Sequence, residues 1–177
     1  ALGIGAGKKI VTLITSPVSR TENSLLVQSV FRTVKKFPEV QLIVKIHPNE
    51  SDSIYREIKK TEKSDAIIVR DIDLYDVIRA SDAAITYLST AGMEVILLGK
   101  PLIVVNLSGR KDVVPYVTEK AAAGIYKAED LEQAIRKALN GTLKKQLDKG
   151  MKTFVRKYTY KNDGMAANRI CSVIREL

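Results

Sequence analysis

Cysteine and histidine are nearly missing from this chain, each occurring once in 177 residues. A single thiol, Cys171, excludes an intramolecular disulfide, and one thiol far from one imidazole leaves no ligand set for a transition metal. Such cysteine usage suits a reducing compartment. The pattern RICSVIREL reads as a helix carrying Cys171 as a buried structural thiol. Long apolar runs are missing too: no stretch reaches the roughly 18 uncharged apolar residues of a membrane span, and no cleavable signal pattern is present. Internal repeats and low-complexity tracts are also lacking. The expectation is a cytoplasmic protein, soluble or peripheral to the inner face of the membrane.

Acidic residues are scarce only at one end. Residues 1 to 135 hold 18 basic and 17 acidic side chains, whereas residues 136 to 177 hold 11 basic and 3 acidic, so nearly all of the net charge of +9 belongs to the tail. A field of one sign attracts nucleic acid, an anionic membrane or an acidic partner domain, while a solvated helical face is the plain alternative. Nucleic acid is disfavoured, because the tail offers only Phe154, Tyr158 and Tyr160 as stacking groups and carries no reader motif.

The length fits one domain able to bury a continuous core without staples. Residues 1–8, opening ALGIGAG, are expected to be a linker or the remnant of an upstream segment, and residues 9–177 the domain. GIGAGKK lacks the glycine spacing and the following Ser or Thr of a phosphate-binding loop, and it precedes a strand instead of following one.

What is present is a regular alternation. KIVTLIT (9–15) is a β-branched apolar run ended by Ser16-Pro17, which predicts a buried strand. Thr21 can cap a helix with Leu26, Val30 and Val34 on one face, stopped at Phe37-Pro38. Further strands are predicted over 41–46, 66–69, 82–86, 102–106 and about 124–126. Helices fall over 51–60, 74–80, 89–98 and 129–139, and two more follow over 141–158 and 165–177. Strands and helices at this spacing imply an α/β fold, a doubly wound, Rossmann-like parallel sheet of six strands, with right-handed crossovers and helices on both faces.

In such sheets, ligands bind beyond the carboxyl ends of the strands, near the point where strand order reverses. With the order 3-2-1-4-5-6, the loop 16–20 and the turn 86–92 flank that crevice. His47, in Lys45-Ile46-His47-Pro48, ends the second strand and reaches the crevice from its side; a satisfied core or surface histidine is the alternative. Lys45 alternates to the same side as His47. After Thr86, the turn Ser89-Thr90-Ala91-Gly92 opens a helix whose free amides and hydroxyls would hold a phosphate, with small Ala91 and Gly92 admitting it, unless Ser89 merely caps. Glu94 could bend toward a ribose diol or stand as an ordinary helix glutamate. Arg20 is either a phosphate contact or a solvated loop arginine.

KIHP, DLYDVIRASDAAITYLSTAGMEVILLGKPLIVV, GIYKAEDLEQAIRKAL and the tail YTYKNDGMAANRI, in that order and spacing, resemble the C-terminal, donor-binding half of GT-B glycosyltransferases. The resemblance is to capsule-polysaccharide, CDP-glycerol glycerophosphotransferase and nonhydrolysing UDP-N-acetylglucosamine 2-epimerase relatives, and it runs from about Lys9 to Leu177. It implies that His47 touches the donor phosphate and stabilises the leaving group, that Ser89 and Thr90 match the pair at the diphosphate, and that Glu94 matches the acidic residue near the ribose. Tyr87-Leu88 departs from relatives that carry Asp-Tyr or Asp-Ser there.

The implied partners are a nucleotide-sugar or CDP-alcohol donor, an N-terminal acceptor domain that supplies the catalytic base, and an anionic membrane surface or lipid-linked acceptor near the final, crossing helices. No cofactor is implied. The expected function is donor binding in an enzyme making surface polysaccharide or glycoconjugate, with weak nucleotide binding and no turnover by this chain alone. An epimerase-like sugar-nucleotide enzyme and a noncatalytic nucleotide-binding module are the alternatives.

Overall fold

The computed structural model describes residues 3–17 and 19–176, without the side chains of residues 20–23. Six strands form one parallel sheet: β1 (Lys9–Ile14), β2 (Val40–Lys45), β3 (Ile67–Val69), β4 (Ala83–Thr86), β5 (Leu102–Val105) and β6 (Ala123–Ile125). Their order is β3-β2-β1-β4-β5-β6, with every adjacent pair parallel. This is the expected doubly wound topology, with the reversal between β1 and β4. Strands β2, β4 and β5 are buried along their whole length, as mainly apolar strands are when both faces of a parallel sheet are covered.

The crossovers are α1 (Arg20–Val34), α2 (Ser53–Thr61), α3 (Leu74–Ala80) and α4 (Gly92–Leu97), followed after β6 by a 3-10 turn (Ala128–Asp130) and α5 (Leu131–Leu139). Helix α1 buries Leu26, Val27, Val30, Phe31 and Val34, a stripe at helical spacing. It packs against α2 and α5, while α3 packs against α4. Asp73 caps α3 by accepting the Asp76 N–H at 3.1 Å.

Helix α4 starts three residues later than the sequence pattern predicts. The Ser89 hydroxyl does not cap a helix running from its own position; it accepts the Ala91 N–H at 3.2 Å and closes a tight turn in front of α4. After α5 the chain enters α6 (Thr142–Thr159), which buries Leu143, Leu147, Met151 and Phe154. Gly150 lies in the interior of α6, where glycine costs about 1 kcal/mol relative to alanine. The reason is close approach: a Cβ there would stand 1.9 Å from the carbonyl oxygen of Lys120.

Helix α7 (Ala166–Arg175) buries none of its residues. Its apolar stripe of Ile170, Val173 and Ile174 is 60 to 63% exposed. Cys171 is therefore exposed and not the buried thiol that its apolar neighbours predict, because no described residue covers this helix.

Candidate functional site

The carboxyl ends of β1, β2 and β4 open into a cavity of about 280 Å³, lined by Thr15, Lys45, His47, Ser89, Thr90 and Glu94 among others. Each arrives by a different route. Thr15 directly follows β1 and is buried. Lys45 is the last residue of β2, and His47 follows where Pro48 breaks the strand. Ser89, Thr90 and Ala91 form the turn after β4, and Glu94 lies in the first turn of α4.

His47 heads a β-turn closed by the Glu50 N–H donating to the His47 carbonyl at 3.0 Å, with Pro48 at the position where proline is favoured. The Asn49 N–H donates to Nδ1 of the ring at 3.2 Å. Nδ1 is thus an acceptor, and in the neutral imidazole the proton sits on Nε2, making that nitrogen the donor. Lys45 is 8% exposed, and its ammonium donates to the Arg70 carbonyl at 2.5 Å. Desolvation pushes the Lys45 pKa down, opposed by the charges of Asp71 and Asp73. Lys45 and His47 together bring an ammonium and an imidazole to the cavity wall.

On the facing wall, the Tyr116 hydroxyl donates to the Thr90 carbonyl at 3.0 Å and to the Ser89 carbonyl at 3.2 Å. Tyr116 is buried, and burial together with the Glu94 charge pushes its pKa up to about 12. The phenol therefore remains a donor throughout the physiological range. Oε2 of Glu94 is buried without a hydrogen-bond partner among the described residues. A buried carboxylate oxygen without a partner costs roughly 1–3 kcal/mol or more, and Glu94 is among the residues that line the cavity.

Two predicted contacts are employed elsewhere. Thr86 is fully buried, and its hydroxyl donates to the Ile14 carbonyl at 3.0 Å, fastening β4 to β1 away from the cavity. Gly92 is also buried; the room left by its missing Cβ is filled by the Tyr116 ring, at 2.6 Å from where that atom would stand. The free helix-start amides expected around Gly92 are engaged as well. Ala91 N–H is held by the Ser89 hydroxyl, Gly92 N–H by the Ser89 carbonyl and Met93 N–H by the Thr90 carbonyl. An anion here would meet side-chain hydroxyls before amides. The Arg20 side chain lies outside the described residues.

Beyond the predicted contacts, the cavity is lined by Ile14, Thr15, Ile46, Pro48 and Leu74. Proximity to the His-Pro turn could have pointed to Pro48. Leu74 comes from the start of α3, and no local pattern announces it. Among the described residues, no cluster of His, Cys, Asp or Glu could hold a metal, and no helix is long and apolar enough to cross a membrane.

Among solved structures, the wall teichoic acid polymerase TagF superposes with a TM-score of 0.71 at 12% identity, over 99% of this chain and 45% of that one. MnaA from S. aureus, in a structure with UDP, gives 0.66 at 17% identity over 96% of this chain and 46% of that one. UDP-GlcNAc 2-epimerase from Neisseria meningitidis, bound to UDP-GlcNAc, gives 0.61 at 12% identity over 89% and 46%. The chain thus spans less than half the length of these proteins, and the likeness establishes a shared fold. No curated protein sequence matches. The sequence profile of CDP-Glycerol:Poly(glycerophosphate) glycerophosphotransferase matches residues 2–176, and this chain belongs to that family.

Proposed function

We propose that this chain is the donor-nucleotide-binding half of a glycerophosphotransferase or related glycosyltransferase that builds surface polysaccharide or glycoconjugate. The observation that carries the reading is one cavity beside the β1/β4 reversal shared by Lys45, His47, Ser89, Thr90 and the unpartnered Glu94 carboxylate oxygen. A cation, an imidazole donor and two hydroxyls suit a phosphate, and a buried acceptor oxygen suits a ribose hydroxyl. The family match and a TagF structure soaked with CDPG support a CDP-alcohol donor.

In the proposed chemistry, the acceptor hydroxyl attacks the donor phosphorus and the bond to the departing CMP breaks. Lys45, His47, Ser89 and Thr90 stabilise the charge gathering on the leaving phosphate, which is electrostatic catalysis by donors already in place. With a nucleotide-sugar donor, the leaving group is the nucleoside diphosphate and the same groups serve. Acceptor binding and the catalytic base belong to the other half of the enzyme. The basic tail faces that half or an anionic, lipid-linked acceptor at the inner face of the membrane.

A few charged hydrogen bonds at roughly 1.5–3 kcal/mol each, less the cost of association, leave this chain with about millimolar to high-micromolar affinity for CDP or UDP and no turnover. Titration followed by chemical shift tests this. Perturbation at Lys45, His47, Ser89 and Thr90 supports the reading, whereas silence at several millimolar with both nucleotides removes it.

A further inference from the structure

The His47 turn is held by a network that reaches the cavity wall at Thr15. The Thr15 hydroxyl accepts the His47 N–H at 3.0 Å and donates to Oε2 of Glu50 at 2.5 Å. The fully buried Tyr55 donates its hydroxyl to Oε1 of Glu50 at 2.7 Å. A terminal nitrogen of Arg70 donates to the Glu50 carbonyl at 2.5 Å, and the Glu50 N–H closes the turn on the His47 carbonyl. Both carboxylate oxygens, the carbonyl and the amide of one residue are thus engaged in fixing the strand end that presents the imidazole.

We propose that Glu50 is a positioning residue for the donor site, acting through Thr15 to fix the orientation and tautomer of His47. The logic is directional. The Glu50 carboxylate accepts the Thr15 hydroxyl proton, which turns the Thr15 lone pairs toward the His47 N–H. That contact, with the closed turn, places the Asn49 N–H against Nδ1 and leaves Nε2 protonated to donate into the cavity. Glu50 lies 35 residues from Thr15 in sequence, so the pairing joins the ends of β1 and β2. A strand end and a turn locked in this way give the phosphate a preorganised donor in place of a swinging ring. This inference rests on the donor-site reading for its purpose but not for its test.

His47 is the only histidine, so a two-bond proton–nitrogen correlation spectrum of the ligand-free, labelled chain reports one imidazole without assignment. The wild-type spectrum is expected to show Nε2 protonated and Nδ1 bare. Glu50→Ala and Thr15→Val are expected to give a mixture of tautomers and to weaken CDP binding by about tenfold. Glu50→Gln, which keeps an acceptor for Thr15, and Thr15→Ser, which keeps the hydroxyl, are expected to restore both readouts.

A purely structural role would lower the melting temperature and leave the tautomer pattern unchanged, and that result overturns the proposal. So does a wild-type ring protonated at Nδ1, which decides the matter even if Glu50→Ala fails to fold. If wild type ignores CDP while its tautomer still follows Thr15 and Glu50, the donor-site reading fails and the positioning of His47 stands.

Discussion

A Cβ on Gly92 would stand 2.6 Å from Cε2 of Tyr116, so these two residues are locked against each other beneath the Ser89-Thr90 turn. The ring has little room to yield. It is 1% exposed and lies 5.4 Å, centroid to centroid, from Phe154 of α6. Gly92→Ala sets a helix-propensity gain of about 0.8–1.0 kcal/mol against an overpacking cost of about 1–3. Because the clash is with a pinned ring, the cost is expected to win by about 1 kcal/mol. Denaturant unfolding checks this, and the variant should also bind CDP more weakly, since the same phenol holds the Ser89 and Thr90 carbonyls.

Tyr116 further predicts an alkaline limit. Its folded pKa of about 12 stands above the ordinary 10.0, so folding favours the protonated phenol. The stabilisation is complete below pH 10 and is lost as pH rises toward 12. Tyr126, hydrogen-bonded to Asp112, is raised to about 12 in the same way. Tyrosinate absorbance should therefore show two late-titrating phenols, one of which disappears in Tyr116→Phe.

Glu94→Gln separates stability from binding. Its buried Oε2 has no partner among the described residues, so neutralising the group should leave stability unchanged or raise it by up to about 1 kcal/mol. Binding of CDP should fall by about tenfold, because the amide keeps one acceptor oxygen where the carboxylate offers two to a ribose diol. Calorimetric melting and nucleotide titration of one sample read both effects.

Lys45 and His47 lie two residues apart and share the cavity, so their contributions should not add. Lys45→Met and His47→Ala are each expected to weaken CDP binding by roughly tenfold, and the double variant by less than the product of the two. Because burial lowers the Lys45 pKa, CDP affinity should start to decline with rising pH before an ordinary lysine would lose its proton.

Much of the fold was legible because its signals are local. KIVTLI and the other short β-branched runs could only be buried strands, and their spacing with helices fixed a parallel sheet whose observed order matches the expectation. Lys45, His47, Ser89, Thr90, Ala91 and Glu94 were nameable from strand ends and turn residues, and they meet in one cavity.

What sequence could not reveal depends on distant partners. Thr86 looked like a site hydroxyl until the Ile14 carbonyl, 72 residues away, was seen to hold it. Gly92 looked like an opening for an anion, yet its reason is the Tyr116 ring. Ser89 read as a helix start because a serine before a helical pattern usually caps; here its hydroxyl makes a two-residue turn. The exposure of Cys171 and the α7 stripe was hidden for the opposite reason, since amphipathic spacing specifies an apolar face and not what covers it.

The central claim is that the His47 ring and the Ser89-Thr90 turn clasp one phosphate between them. Diffraction from crystals soaked with CDP tests it most directly. The account predicts a phosphate whose oxygens lie within about 3 Å of Nε2 of His47 and of a Ser89 or Thr90 hydroxyl at the same time. A phosphate that contacts only one of these walls, or a nucleotide bound at another edge of the sheet, would contradict it.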